Sequence, residues 1–410
     1  MLDLQKHPSS SPWMDPAAYW PALDAATREL DAPFAVLHLD ALRHNLHDML
    51  RRAGGTPIRV ASKSVRVRGV IEEVLKVPGF SGVLAYTLAE ALWLAESIDD
   101  VVVGYPTAER GALRRLATDP ELAARVTLMV DSPAQLDLID AVLPPGQRES
   151  IRVCLELDAS WNSALLGHIG VWRSPVHDAH AASSLARYIS ERPGFRLVGM
   201  MAYEAQIAGV GDAPVGKPFD GALKRWMQGQ SVEELHRRRG QAVAAVREIV
   251  ELEFVNGGGT GSLESTSEDS SVTEIGAGSG LFGGHLFDNY ARFRPAPAAS
   301  FALSVVRRPA PGTATLLGGG WVASGPAAAD RLPQLVWPQG LQMVGREMAG
   351  EVQTPVIGPA ARSLRVGDRV WARHTKSGEL SEHVNEFAVV DGGGVVDSLP
   401  TYRGEGKAFL

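Results

Sequence analysis

Apolar and polar positions along the chain fall into two textures. From about residue 34 to 290, short apolar, β-branched runs recur: FAVLHL, IRVAS, GVLAY, DVVVG, RVTLMV, RVCLEL, LVGMMAY and EFVNGG. Most are separated by segments whose apolar residues return at helical spacing, such as TLAEALWLAES, AERGALRRLA, SPAQLDLIDAVL and SVEELHRRRGQAVAAVREIV. Thr107, Asp131-Ser132 and Ser231 stand where helix N-caps are expected. Strands alternating with helices predict βαβ units and a parallel sheet. About eight units in such a length fit a (β/α)8 TIM-like barrel better than an open sheet, although periodicity cannot show closure. Past residue 295 the texture changes. SFALSVVRRP, TATLLGGG, REMAGEV, DRVWARH and EFAVVDGGGVVD read as strands between Gly/Pro turns, with FRPAPAA as a linker and ESTSEDSSVT as a polar loop. The predicted organisation is an arm over 1–33, an α/β barrel over 34–292 and a C-terminal β domain over 293–410.

Composition narrows the partners. A net charge of −7 argues against nucleic acid or an anionic membrane as the main partner. The single cysteine, Cys154, excludes a disulfide framework and a Cys-based zinc site, and suits a reducing compartment. The N-terminus has no apolar core of the kind a secretory signal carries, and no apolar run spans a bilayer, so the expectation is a cytoplasmic protein with a small-molecule substrate.

In VASKSV, residues 60–65, a strand-like run ends on an embedded lysine. Two readings are open for Lys63: a snorkelling side chain with its ammonium in water, or a Schiff-base lysine whose amine attacks a carbonyl. A barrel places its site at the C-terminal ends of its strands. Lys63, Arg173 and Tyr203 follow strand-like runs, as do GGGTGS (257–262) and GAGS (276–279). Glycine turns let backbone N–H groups converge on phosphate oxygens, and Thr260, Ser262 and Ser279 add hydroxyls. GGGTGS alone reads equally well as a flexible loop, because it lacks both the P-loop lysine and the dinucleotide spacing. An early lysine with a late phosphate nest suits pyridoxal 5'-phosphate, which offers an aldehyde to one and a phosphate to the other. Trp161 and Trp172 flank a polar insertion and serve either as pocket walls or as packing.

HLDALRHNLHDM resembles the opening helix of alanine racemases, and VASKSV resembles the cofactor-lysine segment of their relatives. LVGMMAYEAQ, VNGGGTGS and VTEIGAGSGLF resemble later blocks of the D-threonine aldolase and D-serine dehydratase branch, and GDRVWARH with FAVVDGG resembles its C-terminal domain. The blocks run in family order from about residue 30 to 400. The resemblance implies a fold-type III pyridoxal phosphate enzyme that is commonly a homodimer, with Lys63 as its Schiff-base lysine. It implies Arg173 near the cofactor's phenolic oxygen, Tyr203 against its ring, and Gly259, Thr260, Gly261, Gly278 and Ser279 around its phosphate.

Two departures carry information. No GYADG-like segment supplies the second base that a racemase needs on the opposite face of Cα. Relatives in the aldolase and dehydratase branch hold a divalent metal with a His-x-Cys or His-x-Asp pair, and the matching segment here is His374-Thr375-Lys376. An ammonium is not a metal ligand and repels a cation. The expectation is therefore an enzyme without that metal, using His374 and Lys376 catalytically, with His383, Asn385 and Glu386 as the substitute ligands to consider. The expected reaction is retro-aldol cleavage of a D-configured β-hydroxy amino acid. The alternatives are β-elimination of the D-serine dehydratase type, racemisation or epimerisation, and non-catalytic carriage of the cofactor.

Overall fold

The computed structural model describes residues 2–326, 328–376 and 378–410, which divide into two compact parts. In chain order the strands are β1 (Phe34–His38), β2 (Ile58–Ala61), β3 (Phe80–Ala85), β4 (Val101–Val103), β5 (Val126–Val130), β6 (Ile151–Glu156), β7 (Trp161–Ser163), β8 (Gly167–Ile169), β9 (Phe195–Ala202), β10 (Phe254–Gly257) and β11 (Glu274–Ala277). They continue with β12 (Ala299–Ala310), β13 (Thr313–Leu317), β14 (Gln334–Trp337), β15 (Gln342–Met343), β16 (Gln353–Ile357), β17 (Arg369–Arg373), β18 (Glu386–Asp391) and β19 (Gly394–Pro400).

One part, residues 49–62, 75–278 and 409–410, is a closed parallel barrel in the order β10-β11-β2-β3-β4-β5-β6-β9. Closure is explicit in the ladder between β11 and β2, where Ala277 lies opposite Val60. Strands buried on both faces are near-continuous apolar runs, as the wholly buried VVV of β4 and VTLMV of β5 are, the one hydroxyl of β5 on Thr127 accepting from Arg152. Val102, Met129, Cys154, Val198, Met201 and Phe254 form an apolar cluster joined by Leu84 and Tyr203. Gly199 is required there, because a Cβ would come 2.3 Å from the Phe254 ring. Burial pushes the Cys154 thiol well up, so it behaves as a small apolar side chain.

The other part, residues up to 48 with 63–74 and 279–408, holds a nine-stranded sheet in the order β15-β16-β13-β12-β1-β18-β19, with β17 pairing β12 and β14. FAVLHL is thus not a barrel strand. As β1 it runs antiparallel to β12, Val36 opposite Ser300, and parallel to β18, Val36 opposite Ala388. The barrel's eighth place goes to β11.

Three local expectations also change. REMAGEV is a turn, with Met348 at φ +53° and Gly350 so close to Gln353 that a Cβ would meet its carbonyl oxygen at 2.1 Å. Part of ESTSEDSSVT is helical, Leu263–Ser267. Ser231 lies inside the 30-residue helix Pro218–Arg247, where its hydroxyl accepts from Gln206 Nε2 at 2.9 Å. Ser132 does cap its helix, in a capping box with Gln135. No helix among the described residues is long and apolar enough to cross a membrane.

Candidate active site

At the C-terminal ends of the barrel strands, one cation organises its surroundings. The β7–β8 hairpin carries the chain from β6 to Arg173, and Tyr203 directly follows β9. The Arg173 guanidinium lies 4.8 Å from the Tyr203 ring centre and 5.3 Å from that of Tyr105, which follows β4. Its Nη1 is 3.6 Å from Oε1 of Glu156, the last residue of β6. Burial alone would lower the pKa of Arg173, but Tyr105 and Glu156 raise it, so it stays a cation. Burial pushes Glu156 up to about 7 against the pull of Arg173, and its Oε1 has no hydrogen-bond donor among the described residues. Burial likewise pushes Tyr203 up to about 12, which keeps its phenol neutral. A half-buried cation between two aromatic faces, next to a carboxyl poised near neutrality, suits an anionic oxygen.

The glycine turn after β10 is held from behind. Gly258, at φ +76°, donates its N–H to Glu204 Oε2 at 2.9 Å, while Thr266 Oγ1 donates to Glu204 Oε1 at 2.7 Å. Gly259 donates to Ser262 Oγ at 3.2 Å, and Arg52 donates to the Thr260 carbonyl at 2.8 Å while pairing with Glu264. A Cβ on Gly259 would lie 2.9 Å from the Ala208 methyl and 3.3 Å from the Tyr203 ring. After β11, a Cβ on Gly278 would meet the Ala61 carbonyl oxygen at 2.3 Å, and Ala61 is two residues before Lys63. A fixed backbone nest of this kind, rich in glycine and with hydroxyls nearby, fits a phosphate. With Arg173 beside it, the residues present fit pyridoxal phosphate.

Lys63, His374, Lys376 and Ser279 belong to the other compact part. Lys63 sits in the single turn Ser62–Ser64 directly after β2. Its carbonyl accepts from Arg66 Nε at 3.1 Å and packs on Gly378, where a Cβ would come within 2.3 Å of it. Arg66 also pairs with Glu382, and Ser381 Oγ donates to the Val65 carbonyl at 2.7 Å. These contacts bring the lysine segment against the segment that follows His374 and Lys376.

His374 is buried edge-on to Phe282, 6.5 Å between ring centres, and neither ring nitrogen has a well-formed hydrogen bond among the described residues. Burial pushes its pKa down to about 4, with Arg373 and His285 adding to the shift and Glu379 opposing it. The half-buried Lys376 donates its backbone N–H to Glu379 Oε1 at 2.7 Å. His383 stacks on Trp321, ring centres 5.0 Å apart, while Asn385 and Glu386 are exposed. Among the described residues, no three His, Cys, Asp or Glu side chains are grouped as a metal site.

The depressed pKa of His374 has a consequence for stability. The unfolded chain binds a proton there that the folded chain refuses between about pH 6.5 and 4. The contribution of this group is therefore complete above pH 6.5 and falls as the pH drops toward 4. Glu156 acts oppositely, favouring the fold as pH falls from about 7 toward 4.5. Urea unfolding at pH 7 and pH 4.5 should show a smaller acid loss in His374→Gln and a larger one in Glu156→Gln.

Tyr105, Glu156, Glu204 and Arg52 went unnoticed in the sequence. Only their places at or near strand ends point to the first two. The other two act through the glycine turn, which nothing in a linear reading ties to them.

Residues 37–285, 249 of the 410, match the model of the alanine racemase N-terminal domain. Among curated proteins the chain is similar to the 3-hydroxy-D-aspartate aldolase of Paracoccus denitrificans (strain Pd 1222), 28% identical over 277 residues, which cover 64% of this chain. A second 3-hydroxy-D-aspartate aldolase of Paracoccus denitrificans is 30% identical over 269 residues. The chain spans 62% of the length of each. Among solved structures it resembles the D-threonine aldolase of Filomicrobium marinum, with a TM-score of 0.72 at 20% identity, covering 92% of this chain and 96% of that one. It also resembles the D-threo-3-hydroxyaspartate dehydratase of Delftia sp. HT23, with a TM-score of 0.69 at 20% identity, covering 91% and 97%.

Proposed function

This chain belongs to the alanine racemase N-terminal domain family of fold-type III pyridoxal phosphate enzymes, and on that premise we propose that it is a lyase acting on a D-configured β-hydroxy amino acid. The observation that carries the reading is Arg173, held between Tyr105 and Tyr203 beside a rigid glycine nest, in a chain whose relatives are named aldolases and dehydratases of such substrates. Bound pyridoxal phosphate supplies the electron sink for a bond broken at Cα. Lys63 would hold the cofactor through its amine and would also serve as a base or acid for the proton at Cα. Arg173 stabilises the phenolic oxygen as an anion. Gly259, Thr260, Gly261, Gly278 and Ser279 bind the phosphate through backbone and hydroxyl donors.

We favour retro-aldol cleavage over dehydration. Cleavage needs only a base on the β-hydroxyl, and His374 is neutral at working pH. His374 would take the hydroxyl proton as the Cα–Cβ bond breaks and an aldehyde departs, and Lys63 would return a proton at Cα to give glycine. Expulsion of hydroxide needs an acid or Lewis acid on the leaving oxygen, a role open to a protonated Lys376. NMR of products from D-threonine and D-3-hydroxyaspartate decides: glycine with an aldehyde is expected. A keto acid with ammonia would establish dehydration, and turnover of L-isomers alone would sink both. We also propose that the protein is a homodimer, which a one-chain mass in light scattering of the active enzyme would contradict.

A further inference from the structure

Behind the glycine turn that follows β10 lies a buried trio of charged side chains. Arg239, on the long helix Pro218–Arg247, donates from Nε to Asp269 Oδ2 at 2.8 Å and from Nη1 to Glu204 Oε2 at 3.4 Å. None of the three side chains is more than 3% exposed. Burial alone would raise the pKa of Asp269, but Arg239 and the donors of Ser271 outweigh it and hold the carboxyl below its usual range. Glu204 reaches further. Its Oε2 also accepts from the Gly258 N–H, and its Oε1 accepts from Thr266 Oγ1. A carboxylate only accepts, so the one hydroxyl proton of Thr266 is committed to Glu204. Ser262 Oγ, 3.0 Å from Thr266 Oγ1, is then the donor of that pair, and it accepts in turn from the Gly259 N–H at 3.2 Å. Two successive glycine N–H groups therefore lead to one carboxylate, Gly258 directly and Gly259 through two hydroxyls.

The glycines make room for this arrangement. A Cβ on Gly257 would come 2.6 Å from Arg239 Nη1, and one on Gly258 would come 2.8 Å from Thr266 Oγ1. The charge of the trio has the wrong sign to attract a phosphate. One guanidinium against two carboxylates leaves a net negative charge, and the nearby Arg52 is already paired with Glu264. An anion behind the nest opposes a phosphate in front of it. What Glu204 contributes is the path of the backbone, fixed by hydrogen bonds to a charged acceptor.

We propose that Glu204 is a positioning residue for the cofactor phosphate: by holding Gly258, and Gly259 through Thr266 and Ser262, it gives the turn the shape that prefers a phosphorylated ligand. The inference rests on the reading of the glycine turn as the phosphate site, and not on which bond at Cα is broken.

Full-length protein, freed of cofactor with hydroxylamine and dialysed, is titrated with pyridoxal phosphate and with pyridoxal, each followed by the absorbance of the bound ligand. The unmodified protein should bind pyridoxal phosphate at least about a hundredfold more tightly, because several charge-assisted hydrogen bonds depend on the phosphate. Thr266→Val keeps the shape of the side chain and removes the hydroxyl link, and should lower that preference about tenfold. Thr266→Ser, which keeps the hydroxyl, should retain it. Glu204→Gln places an amide donor where the carboxylate accepts, and should lower the preference although it removes a negative charge. A preference unchanged in Thr266→Val, or unchanged or raised in Glu204→Gln, would overturn the proposal. So would an equal loss of affinity for both ligands, which would mark these residues as supports of the barrel alone. An unmodified protein with no preference for the phosphorylated ligand would refute the phosphate site itself.

Discussion

Lys63→Ala should lower turnover at least about a thousandfold while leaving the fold intact, since covalent and acid–base roles of this kind are worth factors of about 10² to 10⁴ each. The structure separates the two effects. The turn at Ser62–Ser64 has anchors besides the lysine side chain: the Lys63 carbonyl accepts from Arg66, Ser62 Oγ donates to the Leu84 carbonyl at 3.2 Å, and Gly378 packs on the same lysine carbonyl. None of these contacts uses the lysine side chain. The variant should therefore melt within a few degrees of the parent, bind pyridoxal phosphate weakly and lack its colour. Retained turnover, or loss of turnover only together with loss of fold, would remove Lys63 from the chemistry.

The second large effect concerns Lys376. An ammonium about 4 Å from a cation opposes each unit of its charge by about 4 kcal/mol at an intermediate dielectric. A divalent ion at that position would face twice this opposition, with no grouped His, Cys, Asp or Glu ligands among the described residues to offset it. We expect activity to survive exhaustive chelation. Lys376→Ala should lower kcat by about a hundredfold, because the ammonium would hold the substrate hydroxyl or carboxylate where relatives use a metal. Lys376→Asp should make the remaining activity depend on added manganese or zinc. Activity lost in chelator and restored by either metal in the unmodified protein would show instead that a metal binds, with His383 and Glu386 the first ligands to replace.

The barrel was legible because strands buried on both faces cannot avoid continuous apolar runs, and the helices between them keep a 3.6-residue period. The same continuous apolar run makes β1 read as a barrel strand, although it pairs with β12 and β18. FAVLH is almost wholly buried between β12 and β18, so its composition matches that of a barrel strand and nothing local names its neighbours. REMAGEV has strand-like residues, but Gly350 packs on the Gln353 backbone and Met348 takes a positive φ, which ends any ladder. The barrel-end residues Arg173 and Tyr203 and the glycine turns were readable as punctuation after strands, and they do meet: Arg173 lies over Tyr203, and Gly259 packs against the Tyr203 ring. Glu156 was hidden as one more strand residue, since its raised pKa arises from burial that only the closed barrel imposes.

Peptide mapping by mass spectrometry, after borohydride reduction of the protein purified with pyridoxal phosphate, tests the central claim most directly. The account predicts a single modified peptide, the one containing VASKSV, with the reduced cofactor on the amine of Lys63. A cofactor fixed to any other lysine, or a protein that takes up pyridoxal phosphate with no borohydride-stable attachment, would contradict it.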